Sequence, residues 1–142
     1  MELLLLLEEA LMSTKVLVGD LMVRNPVRAE RWHNIAAIRR AMLTNSFSYL
    51  PVQEKVGGWK LISDTAIVAY LRPSLDRNKR LGTELGDAIV ADKIKPITCP
   101  LLTRDTTIAE AMTELTHLPM LVTEKQGDEE RLIGLLTAFD LL

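Results

Sequence analysis

The sequence predicts an α/β fold of two β-α-β-β-α repeats packed with pseudo-twofold symmetry. Three observations carry this. A weak internal repeat relates VGDLMVRNPVRAERWHNIAAIRRAM, SYLPV and WKLISDTAIVAYL to VADKIKPITCPLLTRDTTIAEAMTEL, THLPM and LIGLLTAFDLL. In each copy a short β-type segment precedes a helical pattern, followed by two apolar strands around a turn and a last helix. Each copy holds roughly 55 residues, too few to bury much core alone, so the two are expected to pack together. The expected boundaries are an N-terminal helix over 1–15, a first repeat over 16–72, a linker over 73–88 and a second repeat over 89–142.

The elements follow in order. The opening MELLLLLEEALM sets five leucines between acids. A signal peptide requires a basic leader and a small-residue cleavage site, and a membrane span requires ~20 apolar residues. Neither pattern is met, so a soluble, cytoplasmic chain is expected. Leu3 to Leu7, Leu11 and Met12 would make a helix apolar on more than one face, which needs cover from its own domain or a partner. In the first repeat, Asn34 is a good N-cap for a helix with Ile35, Ile38 and Met42 on one face. In the second, Thr107 with Glu110 makes a capping box, and Ile108, Ala111, Met112 and Leu115 share one helical face. Leu50-Pro51-Val52 and Leu118-Pro119-Met120 read as strand starts, where proline loses no ladder bond. Val56-Gly57-Gly58 and Gln126-Gly127-Asp128 supply turns, with strands over Trp59 to Ile62 and Arg131 to Leu136 after them. Pro73 stops the first repeat, and RPSLDRNKRLGTELGDA reads as a polar linker with a helical turn or two.

Composition excludes several functions. Aromatics are 4% of the chain, which disfavours base-stacking platforms, and a net charge of −2 leaves no basic excess for a phosphate backbone. Nucleic acid is therefore not expected as the main partner, nor is a membrane. One cysteine, Cys99, allows neither an intrachain disulfide nor a Cys-x-x-Cys metal cluster, and beside Pro100 it reads as packing. The acids at 128–130 read as a solvated hairpin tip rather than a metal site, and Arg77, Lys79 and Arg80 as solvated surface. No nucleophile–base–orienter set is present, so no enzyme and no required cofactor are expected.

The pattern resembles a tandem pair of cystathionine-β-synthase (CBS) domains, a Bateman module, from about Val16 to Leu142. The residues that carry the resemblance are Val18-Gly19-Asp20-Leu21-Met22 with Asn25-Pro26-Val27, the two Leu-Pro pairs, and Gly134-Leu135-Leu136-Thr137-Ala138-Phe139-Asp140-Leu141-Leu142. The last is similar to the family's Gly-hydrophobic-x-Thr/Ser-x-x-Asp signature. The resemblance implies an adenosyl ligand (AMP, ADP, ATP or S-adenosylmethionine) in a cleft between the repeats. In such a site Asp140 would accept both ribose hydroxyls, and Thr137 would offer a hydroxyl beside a helix N-terminus. A second reading stays open, with Thr137 an N-cap and Asp140 a first-turn acid. By the same resemblance Met22, Asn25 and Val27 would meet the adenine edge. Phe47, Ser48 and Tyr49 would form a wall, Phe139, Thr137 and Leu135 the floor, and His117 would contact phosphate. For all of these, plain packing or surface is the alternative.

The first repeat departs from the signature. Ser63 matches the threonine, but Lys60 replaces the glycine and Ala66 the aspartate, and Asp64 comes two residues early. The related site is expected to be degenerate. The functional expectation is a non-catalytic regulatory module sensing an adenosyl ligand at Asp140. By resemblance it forms a disc-like homodimer and acts on a separate effector protein. The competing expectations are a ligand-free homodimerisation scaffold and a sensor of another ligand such as a metal ion.

Overall fold

The computed structural model describes residues 16–56, 58–72 and 75–142. The helix expected over 1–15, Gly57 of the first turn and Pro73 lie outside the described residues. In chain order the elements are α1 (Val18–Leu21), β1 (Val23–Arg24), α2 (Ile35–Asn45), β2 (Tyr49–Gln53), β3 (Trp59–Ser63), α3 (Asp64–Leu71), α4 (Arg77–Leu81), α5 (Leu85–Val90), β4 (Leu101–Leu102), α6 (Ile108–Thr113), β5 (Met120–Gln126) and β6 (Glu129–Leu136). A single 3-10 turn, Ala138–Leu141, follows β6.

Two compact units cut across chain order. One joins residues 16–26 with Cys99–Leu142; the other is Val27–Thr98. The first holds a four-stranded sheet in the order β1-β6-β5-β4. The β5–β6 hairpin is antiparallel and turns at Gly127 (φ 68°) and Asp128, with Gln126 opposite Glu129. Gly127 is suited to that left-handed backbone. Strand β4 runs parallel to β5, so α6 serves as the crossover between them. Val18, Met22, Ile108, Ala111, Met120 and Leu136 are among the residues of this core.

The second unit repeats the plan in shorter form. Hairpin β2–β3 is flanked by single bridges, Leu61 to Ile97 on one side and Val52 to Ala29 on the other. The bridges have the same directions as the β1–β6 and β4–β5 pairs, antiparallel and parallel. Ile35, Ile38 and Met42 of α2 join Leu50, Ile62 and Leu71 in its core, as the helical spacing requires.

The repeat is closed by a pair of equivalent contacts. In the first unit Gly19 N–H donates to Arg104 O (3.0 Å) and Val18 N–H to Thr106 O (2.8 Å). In the second, Gly86 N–H donates to Arg31 O (2.8 Å) and Leu85 N–H to His33 O (2.8 Å). A Cβ on Gly19 would sit 3.1 Å from Arg104 Cβ, and one on Gly86 3.2 Å from Arg31 O, so both glycines permit a close backbone approach. Leu85-Gly86-Asp87 thus plays the part of Val18-Gly19-Asp20. It does so inside the segment read as linker, where α5 buries Leu85 and Ala88.

Three expectations change. The two Leu-Pro pairs are not equivalent: Pro119 precedes β5, whereas Pro51 is the third residue of β2. Pro51 faces Leu61, and Leu121 faces Leu135, so the prolines are two register positions apart. Pro51 loses no bond to β3, because Leu61 turns its N–H and C=O to Ile97 (2.9 and 2.7 Å). Next, α6 ends at Thr113, whose hydroxyl donates to Glu110 O at 2.6 Å. Leu115 falls past the helix, and both it and Met112 are exposed, so only Ile108 and Ala111 of the expected face are buried. Finally, the acids at 128–130 are partly engaged. Glu130 Oε1 accepts from Thr123 Oγ1 at 2.8 Å, and the strand begins at Glu129 rather than Arg131.

Candidate functional site: the turn after the last strand

In the first unit β6 ends at Leu136 and the chain turns through Thr137 to Asp140. Thr137 is extended (φ −119°, ψ 168°), as an N-cap must be. Asp140 Oδ2 accepts from Thr137 N–H at 2.8 Å and from Thr137 Oγ1–H at 3.1 Å, while Asp140 N–H donates to Thr137 O at 3.0 Å. The carboxylate is half-buried and fixed by these bonds. No hydrogen bond to Oδ1 is found among the described residues. Thr137 and Asp140 therefore come together as the signature spacing requires. After Thr137 the chain makes a 3-10 turn, Ala138–Leu141.

The neighbours follow from the sheet. Val23 lies opposite Leu135 and Arg24 opposite Gly134, so β1 runs beside the start of the turn. Met22 lies across Gly134. A Cβ at Gly134 would come within 2.8 Å of Met22 Cγ and closer still to its sulfur, so the signature glycine is where a side chain passes over the strand. Met22 is only 8% exposed, which makes its side chain a packing group. Asn25 follows in the left-handed region (φ 50°), which asparagine tolerates, and is exposed. Leu135 is half-buried, Phe139 is 80% exposed, and His117 is exposed ahead of β5.

The remaining candidates belong to the second unit. Val27 and Phe47 are exposed, Ser48 is exposed with its carbonyl accepting from Asp64 N–H (2.8 Å), and Tyr49 pairs with Ser63. Here the turn equivalent to Thr137–Asp140 is Ser63–Ala66. Ser63 Oγ accepts from Ala66 N–H at 3.1 Å and lies 3.1 Å from Thr65 Oγ1. Ala66 packs against the core, and Lys60 stands opposite Val52 as Gly134 stands opposite Val122. No carboxylate occupies position 66.

Cys99 is buried, and that burial pushes its thiol up to about 11. At pH 7 only on the order of one molecule in ten thousand would carry the thiolate, so it is an inert packing group. Among the described residues no group of three His, Cys, Asp or Glu is placed to hold a metal ion, and no helix is long and apolar enough to cross a membrane. Two features escaped the sequence reading. The Leu85-Gly86-Asp87 contact was visible as a second Gly-Asp pair after an apolar residue. Arg28, 5.2 Å over the Trp59 ring, had no local signal.

Residues 94–142 match the family model described as CBS domain. No curated protein matches the chain by sequence. By structure the chain is similar to CbpB solved in complex with c-di-AMP, at 17% identity over 95% of this chain and 85% of that one, TM-score 0.68. It is similar to CBSX2, a CBS-pair protein of Arabidopsis thaliana, solved in complex with AMP, at 20% identity over 89% and 93%, TM-score 0.58. It is also similar to the CBS domain pair of MJ0100 solved with 5′-methylthioadenosine and S-adenosyl-L-methionine, at 15% identity over 89% and 92%, TM-score 0.61. The chain thus has the fold of the CBS-pair structures it is similar to, a mixed α/β architecture of two repeats. The CBS-domain match covers residues 94–142 of it.

Proposed function

We propose that this chain is a non-catalytic regulatory module that binds an adenosyl ligand at the Thr137–Asp140 turn. AMP, ADP, ATP and S-adenosylmethionine are the candidates. The observation that carries the reading is the Asp140 carboxylate, held in place through Oδ2 by Thr137 with Oδ1 left to accept. A fixed carboxylate oxygen suits ribose hydroxyl donors, because its orientation is set before the ligand arrives. The three structural neighbours solved with adenosyl compounds support the same class. With Ala66 at the related turn, one site per chain is proposed. The module would be cytoplasmic and homodimeric and would act on a separate effector protein. Its ligand can bias that output only through different affinities for two states of the module.

A second reading, a ligand-free homodimerisation scaffold, draws on the same turn. The capping box already uses Asp140 for the chain's own backbone. Isothermal titration of AMP, ADP, ATP and S-adenosylmethionine into the wild type and Asp140→Ala decides between them. Binding by the wild type that is lost in the variant is expected. Absence of heat at millimolar ligand with folded protein would leave the scaffold. Equal affinity in both proteins would move the site elsewhere.

A further inference from the structure

Helices α2 and α3 of the second unit leave a groove of about 390 Å³ between them. Asp64 N–H, at the head of α3, donates to Ser48 O (2.8 Å), just past the end of α2, so the two helices run in opposite directions from a shared end. Leu43 on α2 and Val68 on α3 form the walls, 63% and 60% exposed, and the buried Met42, Ile67 and Leu71 form the floor. Asp64 stands at the shared end. Arg39 and Arg72 stand toward the other, with Arg77, whose guanidinium reaches Leu71 O at 3.5 Å. All three arginines are exposed, and no ion pair to them is found among the described residues. The groove is therefore apolar along its length and cationic at one end.

We propose that this groove docks an acidic amphipathic helix of a partner protein. Arg39 and Leu43 lie one turn apart on α2, as do Asp64, Val68 and Arg72 in succession on α3. Each helix thus raises one ridge, and the depression between them accepts the ridge of a third helix. Asp64 to Arg72 spans about 12 Å at helical rise, so the occupant needs roughly two turns of apolar stripe. Three arginines against one acid require that the stripe be edged by carboxylates. A second copy applying the same face would set that positive excess against its like, which is unfavourable. The inference deepens the effector part of the proposed function and rests on that reading only for the existence of an effector. The ligand turn of the first unit plays no part in it.

Two fluorescent synthetic helices test it against the full chain. One carries leucines at i, i+3, i+4 and i+7 with glutamates on its other face; its twin carries lysines for the glutamates. By fluorescence anisotropy the wild type is expected to bind the glutamate peptide about tenfold more tightly than the twin. Arg39→Glu with Arg72→Glu should reverse that preference, a gain that a misfolded chain could not give. Val68→Asp should weaken the glutamate peptide about tenfold, and Val90→Asp, at an exposed site of α5, should leave it unchanged. Asp140→Ala should bind the peptide as the wild type does, so failure of the ligand site and failure of the groove are separate results. No binding of either peptide by folded wild type overturns the proposal, and so does equal binding of both. Binding unchanged by Val68→Asp or by the arginine exchange places the site elsewhere and overturns it too. Sedimentation identifies the other occupants. Self-association lost in Val68→Asp gives the groove to a second copy, and binding to phosphatidylserine vesicles lost in the arginine exchange gives it to a membrane. Either result overturns the proposal.

Discussion

The turns that close the two hairpins share a frame and differ in one side chain. Thr137 and Ser63 both stand at the end of a strand as extended N-caps. Three residues on, the Asp140 carboxylate folds back to accept from the cap, whereas Ala66 packs against the core and donates its backbone N–H to the cap's hydroxyl oxygen. With alanine the chain runs on into an eight-residue helix that buries Ile67 and Leu71. At Asp140 the side chain instead bonds the cap and keeps a carboxylate near the surface. At this position one turn packs a methyl against the core and the other presents a carboxylate.

The strand before each turn differs in the same sense. Gly134 lets Met22 pass over β6, while the equivalent Lys60 carries a long side chain at the matching place on β3. The first turn is therefore backed by a packed thioether and the second is not.

Breaking the shared frame should have the largest effect. Leu136 and Ile62 are fully buried at matched register positions, opposite Met120 and Leu50. Leu136→Ala and Ile62→Ala are each expected to lose about 2–5 kcal/mol in urea unfolding. A loss under about 1 kcal/mol at one of them would show that the two layers are not equivalent.

The chemical difference comes next. An adenosyl ligand at a hundred times its Kd should raise apparent stability by about 2.7 kcal/mol, read as a thermal shift. Asp140→Ala should abolish that shift and Asp64→Ala should keep it. The reverse result would place the ligand at the second turn. Gly134→Ala should cost about 1–3 kcal/mol because Met22 must move, while Lys60→Ala should stay within about 0.5 kcal/mol. Equal costs would remove the packing asymmetry.

The caps sharpen the comparison at a smaller scale. Ser63→Ala and Thr137→Ala should each cost about 0.5–2 kcal/mol by chemical denaturation, with Ser63 the larger because it is buried and starts a full helix. The last effect is absent at neutral pH and comes from Cys99 of the first unit. Its thiol keeps its proton in the fold up to about 11, whereas the unfolded chain releases it from its ordinary value of 9.0. The unfolded state then binds fewer protons, so stability falls as pH rises between those values and is unaffected below them. Cys99→Ala should flatten that decline in the urea midpoint.

Local rules made much of this legible. The caps at Asn34 and Thr107, the helical face of Ile35, Ile38 and Met42, and the turn at Gly127-Asp128 depend on residues within a few positions of each other. The signature spacing likewise placed Thr137 beside Asp140, because three residues span one turn. Where the reading failed, the deciding partner lay far along the chain. The Leu-Pro pairs match in sequence, but strand register is set by the partner strand, which put Pro51 opposite Leu61 and left Pro119 outside β5. Leu115 has helical spacing, but its helix stops at Thr113.

The sequence by itself determined the class of fold, the repeat, the caps and the single carboxylate of the signature, since each follows from short-range periodicity and residue chemistry. Only the tertiary structure decided that residues 16–26 pack with Cys99–Leu142, that Leu85-Gly86-Asp87 mirrors Val18-Gly19-Asp20, and that Met22 lies over Gly134. The reason is that these contacts join segments far apart in the chain. Their partners are selected by close approach and by backbone hydrogen bonds left unpaired locally, and neither is written in the spacing of neighbouring residues.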